Sequence, residues 1–352
     1  MINKIDKNKR EIHAHPGEEC MSALPYFRSL FAGLVALSAA SAAASAQEIT
    51  LRVGHDQPVG SMYDEGHKMF KKLVEERSNG RIRVNVFPAG QLGAEVAMLE
   101  GVRLGTLDMS SCSAANAATV IPELGLLSVS YLFNDRAHVA RVINDPKFSE
   151  QLDAIVAGKS LGLKRIGYYT SGVRNIYSRK GSVAGPEDLN NVKIRVQNNP
   201  VEVTIWKAFG AIPTPMNFGE VYQALQSGVI DAAENGLAVI ESNKHYEAAK
   251  YISQTEHQYG INPVFMNERK FNSLPADLKA IVLQAAIDAA VHERKKDDEF
   301  VDAAVEGLKT KGAVLTKPDK AKFIALVAPI QDKVAGDIKA VQLLETIRSQ
   351  KK

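Results

Sequence analysis

The chain has 352 residues, with 43 Lys and Arg against 40 Asp and Glu, so its formal net charge is +3 at pH 7. So small an excess gives no electrostatic basis for binding nucleic acid or an anionic membrane face. The length is sufficient for roughly two domains, each large enough for its own hydrophobic core.

The N-terminal 46 residues are predicted to be absent from the working protein. From Met21, a basic residue, an apolar run and a small-residue triplet ending at Ala46 follow the layout of a secretory signal peptide, with cleavage before Gln47. The apolar run is too short to span a membrane. Residues 1–20 fit no part of such a signal, so we interpret them as an over-extended reading frame. The mature chain would have 306 residues, of which 38 are basic and 36 acidic.

The cysteine content limits how an exported chain can be stabilised. Cys20 would leave with the leader, so Cys112 would stand alone, without a partner for an internal disulfide. In "DMSSCSAAN" we interpret Cys112 as a small buried residue rather than a reactive thiol. Core packing must then supply the stability of the fold.

The mature chain opens with alternating strands and helices. Hydrophobic periodicity predicts strands at 49–54 and 81–87, a third strand in "TLDMSSC", and helices at about 63–77 and 93–105 between them. Strand–helix–strand–helix–strand at this spacing is typical of an α/β domain with mainly parallel pairing.

The middle of the chain continues the α/β pattern. In "GLKRIGYYTSGVRNIYS" (162–178), two β-rich runs flank a predicted Thr-Ser-Gly turn. Asn217 and Glu220 mark the start of a further helix that ends near Gly228, and "VIDAAENG" then reads as a strand entering a turn.

The segment "NVKIRVQNNP" (191–200) alternates apolar and polar residues, which predicts a half-buried strand. Lys193 and Gln197 are interpreted as solvated positions on its polar face. Asn199 as cap, followed by Pro200 and by Glu202 at the capping-box position, predicts the helix that comes next.

From Leu274 the chain is predicted to be mostly helical. The charged patch Glu293–Glu299 is interpreted as solvated surface on a helix that crosses between two lobes. With no repeat and no flexible linker in the sequence, we expect ordered segments to connect the two α/β lobes.

Catalytic signatures are scarce in this sequence. It contains no phosphate-binding glycine loop, dinucleotide fingerprint, H-E-x-x-H or G-x-S-x-G, and its histidines lack metal-ligand spacing. We therefore expect no metal and no cofactor. Glu256 and His257 in "TEHQYG" are the best acid/base pair, although a hydrogen-bonded structural histidine is the interpretation we prefer. An exported two-lobed α/β protein of this kind typically binds a small molecule between its lobes.

Five segments carry a more specific signal: "QLGAEVAMLEGVRLGTLDM", "YLFNDRAH", "GPEDLNNVKIRVQNNP", "FGAIPTPMNFGEVYQALQSGVIDAAENG" and "HYEAAKYISQTEH". In this order and spacing they closely resemble the substrate-binding proteins of TRAP (tripartite ATP-independent periplasmic) transporters. The resemblance extends from about Ile49 to the C-terminal helices, and the part from Ile194 to Asn235 is the most diagnostic.

The resemblance implies an α/β, two-lobed periplasmic-binding-protein fold with a long helix spanning both lobes and a ligand cleft between them. We expect residues 47–171 and 261–300 in the first lobe and residues 172–260 and 301–352 in the second. The family implies a periplasmic protein that captures a small organic acid and delivers it to a membrane permease. We expect a monomer.

The resemblance also implies the ligand-binding residues. Arg195 matches the family arginine that holds the ligand carboxylate, a task for which a guanidinium fork is suited and a lysine is not. Arg174 resembles the second ligand-facing arginine, with surface charge as the alternative. Asn235 matches an asparagine that reaches a ligand oxygen, with a turn-forming role as the alternative.

Further positions are weaker candidates. Phe218 matches an aromatic that can line the pocket, or else belongs to the core. Glu95 matches an acceptor for ligand hydroxyls, or else is an ordinary acid in a first helical turn. Asp56, Ser113 and Asn116 follow first-lobe strand ends that should face the cleft, and a structural role is the alternative for each.

Departures from the family pattern bear on the ligand. The usual Asp-Gly-Gln-Glu-Asn-Pro turn is Asp231–Gly236 here, and Val129–Tyr131 replaces the common Leu-Pro-Phe/Tyr. Ser113 and Asn116 stand where the sialic-acid branch has an acid and an arginine, which argues against sialic acid. Sugar acids such as uronates or aldonates rank first, followed by small hydroxy acids or C4-dicarboxylates. An exported enzyme acting on a carboxylate and a sensory receptor are the rival functions.

Overall fold

The computed structural model describes residues 49–351, so the predicted leader and its cleavage site lie outside the described residues. Within that part of the chain, nine strands form one mixed sheet. They are β1 Ile49–Gly54, β2 Ile82–Phe87, β3 Met109–Ser111, β4 Leu163–Ser178, β5 Lys193–Val196, β6 Ile212–Pro215, β7 Ala232–Gly236, β8 Tyr251–Asn267 and β9 Val314–Thr316.

Helices connect and cover the strands. The α-helices are α1 Met62–Arg77, α2 Glu95–Leu104, α3 Ala114–Ala117, α4 Arg136–Ile143, α5 Pro146–Gly158, α6 Pro200–Ala208, α7 Val221–Ser227, α8 Leu237–Ser242, α9 His245–Ala248, α10 Glu268–Ser273, α11 Ala276–Thr310, α12 Lys320–Asp337 and α13 Val341–Ser349. Short 3₁₀ segments occupy Pro122–Ser128, Pro186–Leu189 and Phe218–Glu220.

The sheet has the order β2-β1-β3-β8-β4-β7-β5-β6, and β9 pairs with β8. β1 lies parallel to β2 and β3, and β5 lies parallel to β6 and β7. The long antiparallel strands β4 and β8 join these two groups. We call the group around β1–β3 the first lobe and the group around β5–β7 the second lobe, and the predicted residue boundaries between them stay a prediction.

The strand and helix pattern predicted for the start of the mature chain is confirmed. Strands β1, β2 and β3 alternate with helices α1 and α2, and their pairing is parallel as expected. The side chain of Ser61 caps α1 by accepting a hydrogen bond from the Asp64 amide. Gly105 ends α2 at φ 82°, a conformation that glycine adopts without steric cost.

The turn predicted at Thr-Ser-Gly is a β-bulge inside one continuous strand. β4 runs through Leu163–Ser178, and its register against β8 shifts between Thr170 and Val173. Gly172 adopts φ 65° at this bulge. The aromatic runs on both sides therefore belong to the same strand, which is long enough to enter both lobes.

The hydrophobic core forms two clusters on opposite faces of the sheet. Along β4, Tyr168 and Ile176 belong to one cluster, whereas Tyr169 and Tyr177 belong to the other. This distribution follows from the alternation of side chains along a strand. Cys112 is fully buried in the first cluster, as predicted, and burial raises the pKa of its thiol.

The long C-terminal helix is confirmed as α11, which has 35 residues and packs against both lobes. Its charged patch is not all solvated surface, and that interpretation was wrong for two residues. Glu293 and Asp297 are buried, because they lie one helical turn apart on the face that packs against β4. Among residues 49–351, no helix is long and apolar enough to cross a membrane.

Candidate ligand-binding site

A cavity lies where strand ends of the two lobes meet. It encloses about 330 Å³ of space between the atoms, its open mouth included. Residues that follow β1, β3 and β5 form part of its wall, which is where open α/β sheets bind ligands. The lining residues are Asp56, Gln57, Tyr63, Glu95, Ser113, Asn116, Ser171, Arg174, Arg195, Gln197, Phe218, Asn235, Val239 and Asn262.

All eight ligand-binding candidates predicted from the sequence line this cavity. The structure thus brings them together, while the role of each in holding a ligand stays a prediction. The first lobe supplies Asp56, Glu95, Ser113 and Asn116, the second lobe supplies Arg195, Phe218 and Asn235, and the crossing strand β4 supplies Arg174.

Arg195 is a buried cation that has no carboxylate partner among the described residues. Its Nε and Nη2 atoms both donate to the carbonyl oxygen of Met216, at 3.0 and 2.9 Å, and these two hydrogen bonds fix the plane of the guanidinium. The guanidinium carbon lies 5.9 Å from the centre of the Phe218 ring. Burial lowers the pKa of Arg195, although the more distant Glu234 carboxylate opposes this effect. A buried, oriented and unpaired guanidinium is suited to a ligand carboxylate.

Arg174 differs from Arg195 because its charge is neutralised within the protein. Nε and Nη2 contact the two carboxylate oxygens of Glu234 at 2.5 and 2.7 Å, and Nη1 donates to Asn235 Oδ1 at 3.0 Å. Burial alone would raise the pKa of Glu234, but the charge of Arg174 and hydrogen bonds from His257 and Arg174 bring it down to about 2. Arg174 can therefore contribute hydrogen-bond donors to the cavity, but little net positive charge.

Glu95 organises the first-lobe side of the cavity. Its Oε2 atom accepts hydrogen bonds from the Ser113 amide and hydroxyl, at 3.2 and 2.8 Å, and from Asn116 Nδ2 at 2.6 Å. The Ser113 hydroxyl in turn caps α3 by accepting from the Asn116 amide. These contacts explain how a helix start and the loop after β3 come to lie side by side.

Two hydrogen bonds cross the cavity from lobe to lobe. Gln197 Nε2 donates to Ser113 Oγ at 2.7 Å, and the Asn198 amide donates to Asn116 Oδ1 at 3.0 Å. The prediction that Gln197 is solvated was wrong: it is 5% exposed, because the end of β5 faces the first lobe instead of solvent. Lys193, at the other end of the strand, is exposed as predicted.

Asp56 lies deep in the cavity beside Glu95. Burial is the main reason that its pKa rises to about 8, and the neighbouring Glu95 carboxylate adds to the effect. The Asp56 carboxyl is therefore mostly protonated at pH 7 in this structure. In that form it can both donate and accept a hydrogen bond.

Six lining residues were not predicted from the sequence: Gln57, Tyr63, Ser171, Gln197, Val239 and Asn262. Gln57 and Gln197 carried a detectable signal, since each is adjacent or nearly adjacent to a predicted site residue at a strand end. Ser171 faces the cavity because of the bulge in β4, which no local pattern predicts. Asn262 lies on β8, opposite β4, and contacts Ser171 across the sheet.

The capping box predicted at α6 does not form. Asn199 caps the helix by accepting from the Val201 amide, but Glu202 is buried and accepts from Trp206 Nε1. Burial raises the pKa of Glu202 to about 8, and the nearby Glu234 charge adds to this.

The best acid/base pair of the sequence is not in the cavity. His257 is buried on β8, with ring nitrogens 2.8 Å from Thr255 Oγ1 and 3.4 Å from Glu234 Oε2. Glu256 forms an ion pair with Lys320. Neither Glu256 nor His257 lines the cavity. In the described part of the chain, no group of three or more His, Cys, Asp or Glu is placed to hold a metal ion.

The chain is similar in sequence to known solute-binding proteins. A family model described as bacterial extracellular solute-binding protein, family 7, matches residues 53–337. The 2,3-diketo-L-gulonate-binding periplasmic protein YiaO of Escherichia coli is 35% identical over 309 residues, which cover 87% of this chain and 92% of that protein.

Solved structures with bound sugar acids have the same fold. A TRAP periplasmic solute-binding protein from Xanthobacter autotrophicus, with bound β-D-galacturonate, is 31% identical with a TM-score of 0.81, over 85% of this chain and 99% of that chain. The sugar acid binding protein DctPAm from Advenella mimigardefordensis, in complex with galactonate, is 26% identical with a TM-score of 0.82, over 86% and 98% of the two chains.

Proposed function

Because this chain belongs to family 7 of the bacterial extracellular solute-binding proteins, we propose that it captures a monocarboxylic sugar acid and delivers it to a TRAP permease. Arg195 holds the carboxylate, and the polar residues around it hold the hydroxyl groups. The observation that carries this proposal is the buried Arg195 guanidinium, oriented by Met216 and without a carboxylate partner in the described chain.

The charges around the cavity favour one carboxylate in the ligand over two. Arg174 is neutralised by Glu234, and burial lowers the pKa of the nearby His245 to about 4, so that it stays neutral at pH 7. A second ligand carboxylate would meet no other unpaired cation among the described lining residues and would lie near the Glu95 carboxylate. This arrangement ranks C4-dicarboxylates below sugar acids.

The remaining lining suits a ligand with several hydroxyl groups. Carboxyl, amide and hydroxyl side chains from both lobes line the cavity, and each can accept or donate a hydrogen bond. A site that hydrogen-bonds substrate hydroxyls rejects analogues that lack them, because buried polar groups are then left unpaired. The bound galacturonate, glucuronate and galactonate of several related structures agree with this class of ligand.

The proposal includes a place of action and a partner. We expect the protein to be exported by its signal peptide to the periplasm. There it would deliver the ligand, as a monomer, to a TRAP permease. We also propose that the ligand leaves chemically unchanged, since neither Glu256 nor His257, the acid/base pair that the sequence favoured, lines the cavity. Closure brings the two lobes together along the Gln197–Ser113 and Asn198–Asn116 hydrogen bonds.

A thermal-shift panel tests the proposal. Ligands that bind the folded protein raise its apparent melting temperature. We expect shifts with D-galacturonate, D-glucuronate or D-galactonate, and none with D-galactose, D-glucose or succinate. A shift with succinate alone would contradict the ligand class, and a shift with the neutral hexoses alone would contradict the role of Arg195. Recovery of a chemically altered ligand after incubation would contradict the transport function.

A further inference from the structure

A second cavity lies on the other side of the β4 bulge, and we call it the rear cavity. It encloses about 980 Å³ of space, its open mouth included, between α4, α11 and the strands β4 and β8. Ala137, Ala140 and Ile143 of α4 form one wall, and Gly172 and Gly260 line the strand side. None of its lining residues lines the cavity between the lobes that contains Arg195, which we call the sugar-acid cavity.

The rear cavity contains a buried carboxylate with a free oxygen. Asp297 of α11 is 3% exposed, and its Oδ2 atom accepts from Thr170 Oγ1 and from the Gly172 amide, both at 2.8 Å. Its Oδ1 atom is buried and has no hydrogen-bond partner among the described residues. A buried acceptor left in this state is costly unless a ligand or water satisfies it.

Asp297 carries a negative charge at neutral pH. Burial raises its pKa to about 6, while the hydrogen bonds from Thr170 and Gly172 limit the rise. Most molecules are therefore ionised there at pH 7.5. The unpaired Oδ1 atom then presents charge as well as a lone pair.

Each arginine that lines the rear cavity already has a partner in the described chain. Arg136 forms an ion pair with Asp298 at 2.5 Å, and both side chains are about half exposed at the mouth. Arg294 donates to the carbonyl oxygen of Tyr168 at 3.3 Å. Glu293, one turn before Asp297, is also buried and accepts from the Thr170 amide. Two arginines and two aspartates line the cavity, so their formal charges balance, and burial raises the pKa of Glu293. Asp297 Oδ1 is the carboxylate oxygen of this lining that is buried without a hydrogen-bond partner among the described residues.

We propose that the rear cavity binds a small organic ammonium ion, whose charged head contacts Asp297 Oδ1 and whose apolar body packs against α4 and Tyr259. The alanine and isoleucine wall supplies apolar contact, and the carboxylate supplies a charge-assisted hydrogen bond. Ser171, the middle residue of the bulge that Asp297 holds, lines the sugar-acid cavity. The segment 170–172 is therefore a wall shared by both cavities.

Benzylammonium and benzyl alcohol are matched probes for this site, because they differ mainly in charge. Calorimetric titration at pH 7.5 should show that benzylammonium binds roughly tenfold more tightly or better, the value of one charge-assisted hydrogen bond. Asp297→Asn keeps an oxygen for the Thr170 and Gly172 donors and should abolish the preference. Asp302→Asn, an exposed change on the same helix, should retain it.

Two further variants locate the bound probe. Ala140→Phe fills the rear cavity from an exposed helix position and should abolish binding of both probes. This variant tests the site independently of whether Asp297→Asn folds. Arg195→Lys, in the other cavity, should bind benzylammonium as the wild type does. Equal affinity for the two probes in the wild type, or unchanged benzylammonium binding in Ala140→Phe, would overturn the proposal.

Discussion

Replacing Glu234 with Gln tests the idea that Arg174 is neutralised inside the protein. The substitution keeps the shape of the side chain but removes the negative charge that faces a 4% exposed guanidinium. The pKa of Glu234 falls from 4.5 to about 2 in the folded protein. A depression of this size corresponds to about 3 kcal/mol of folding free energy. Removing one partner of a buried ion pair typically costs about 3–5 kcal/mol, which agrees with this figure.

Urea unfolding at pH 7 measures this cost as the difference in unfolding free energy between wild type and Glu234→Gln. Because the folded-state pKa is depressed, the stabilisation is present above pH 4.5 and is lost as the pH falls from there through about 2. The difference between the two proteins should therefore shrink below pH 4.5. Glu241→Gln is the matched control, since Glu241 pairs with Lys311 at the surface and should cost under about 1 kcal/mol.

The same substitution makes a prediction about ligand choice. A neutral side chain at position 234 leaves Arg174 as a second unpaired cation at the cavity. The affinity for a dicarboxylic sugar acid such as galactarate should therefore rise roughly tenfold relative to the affinity for galacturonate. Calorimetric titration with the two acids measures the ratio of their affinities. A cost below about 1 kcal/mol in urea, together with an unchanged ratio, would refute the assigned role of the Arg174–Glu234 pair.

Three further substitutions test separate parts of the site. Gln197→Ala removes a hydrogen bond between the lobes and should weaken sugar-acid binding by roughly fivefold in surface plasmon resonance. Lys193→Ala, the control, should leave binding unchanged, and equal effects of the two variants would contradict closure by the Gln197–Ser113 contact. Asp56→Asn removes a carboxyl group whose pKa is raised to about 8 in the folded protein. The melting temperature of the variant should therefore exceed that of the wild type by a margin that grows from pH 5 to pH 8. A constant margin would contradict the raised pKa. Gly236→Ala places a Cβ 2.1 Å from the Ser171 carbonyl oxygen and should destabilise the protein by about 1–3 kcal/mol in urea, while a neutral effect would show that the strands can separate there.

Local sequence patterns predicted the elements whose causes are local. The alternating residues of β1 and β2 and the Asn199 cap at the start of α6 depend on neighbours within a few positions. The resemblance to a known family then identified Arg195 and seven other residues that line one cavity. Its motifs capture strand ends, where the positions of side chains follow from the topology of the sheet.

The errors concern residues whose environment is set by distant parts of the chain. Gln197 reads as solvated because the Ser113 hydroxyl that it contacts lies 84 positions away. Asp297 reads as part of a charged surface because its donors lie on β4, more than 100 positions earlier. Such pairings are visible only once the tertiary fold is known. Glu202 differs, because its partner Trp206 lies four positions later on the same helix, and what the sequence did not show is the burial of both side chains.

We propose that one buried arginine, Arg195, selects the sugar acid by its carboxylate. The most direct test is calorimetric titration of the purified protein with D-galacturonate and with its neutral counterpart D-galactose, in wild type and in Arg195→Lys. We expect one-to-one binding of galacturonate to wild type, no measurable binding of galactose, and a loss of affinity of roughly tenfold or more in Arg195→Lys. Equal binding of the two sugars, or galacturonate binding by Arg195→Lys at wild-type affinity, would contradict this role of Arg195.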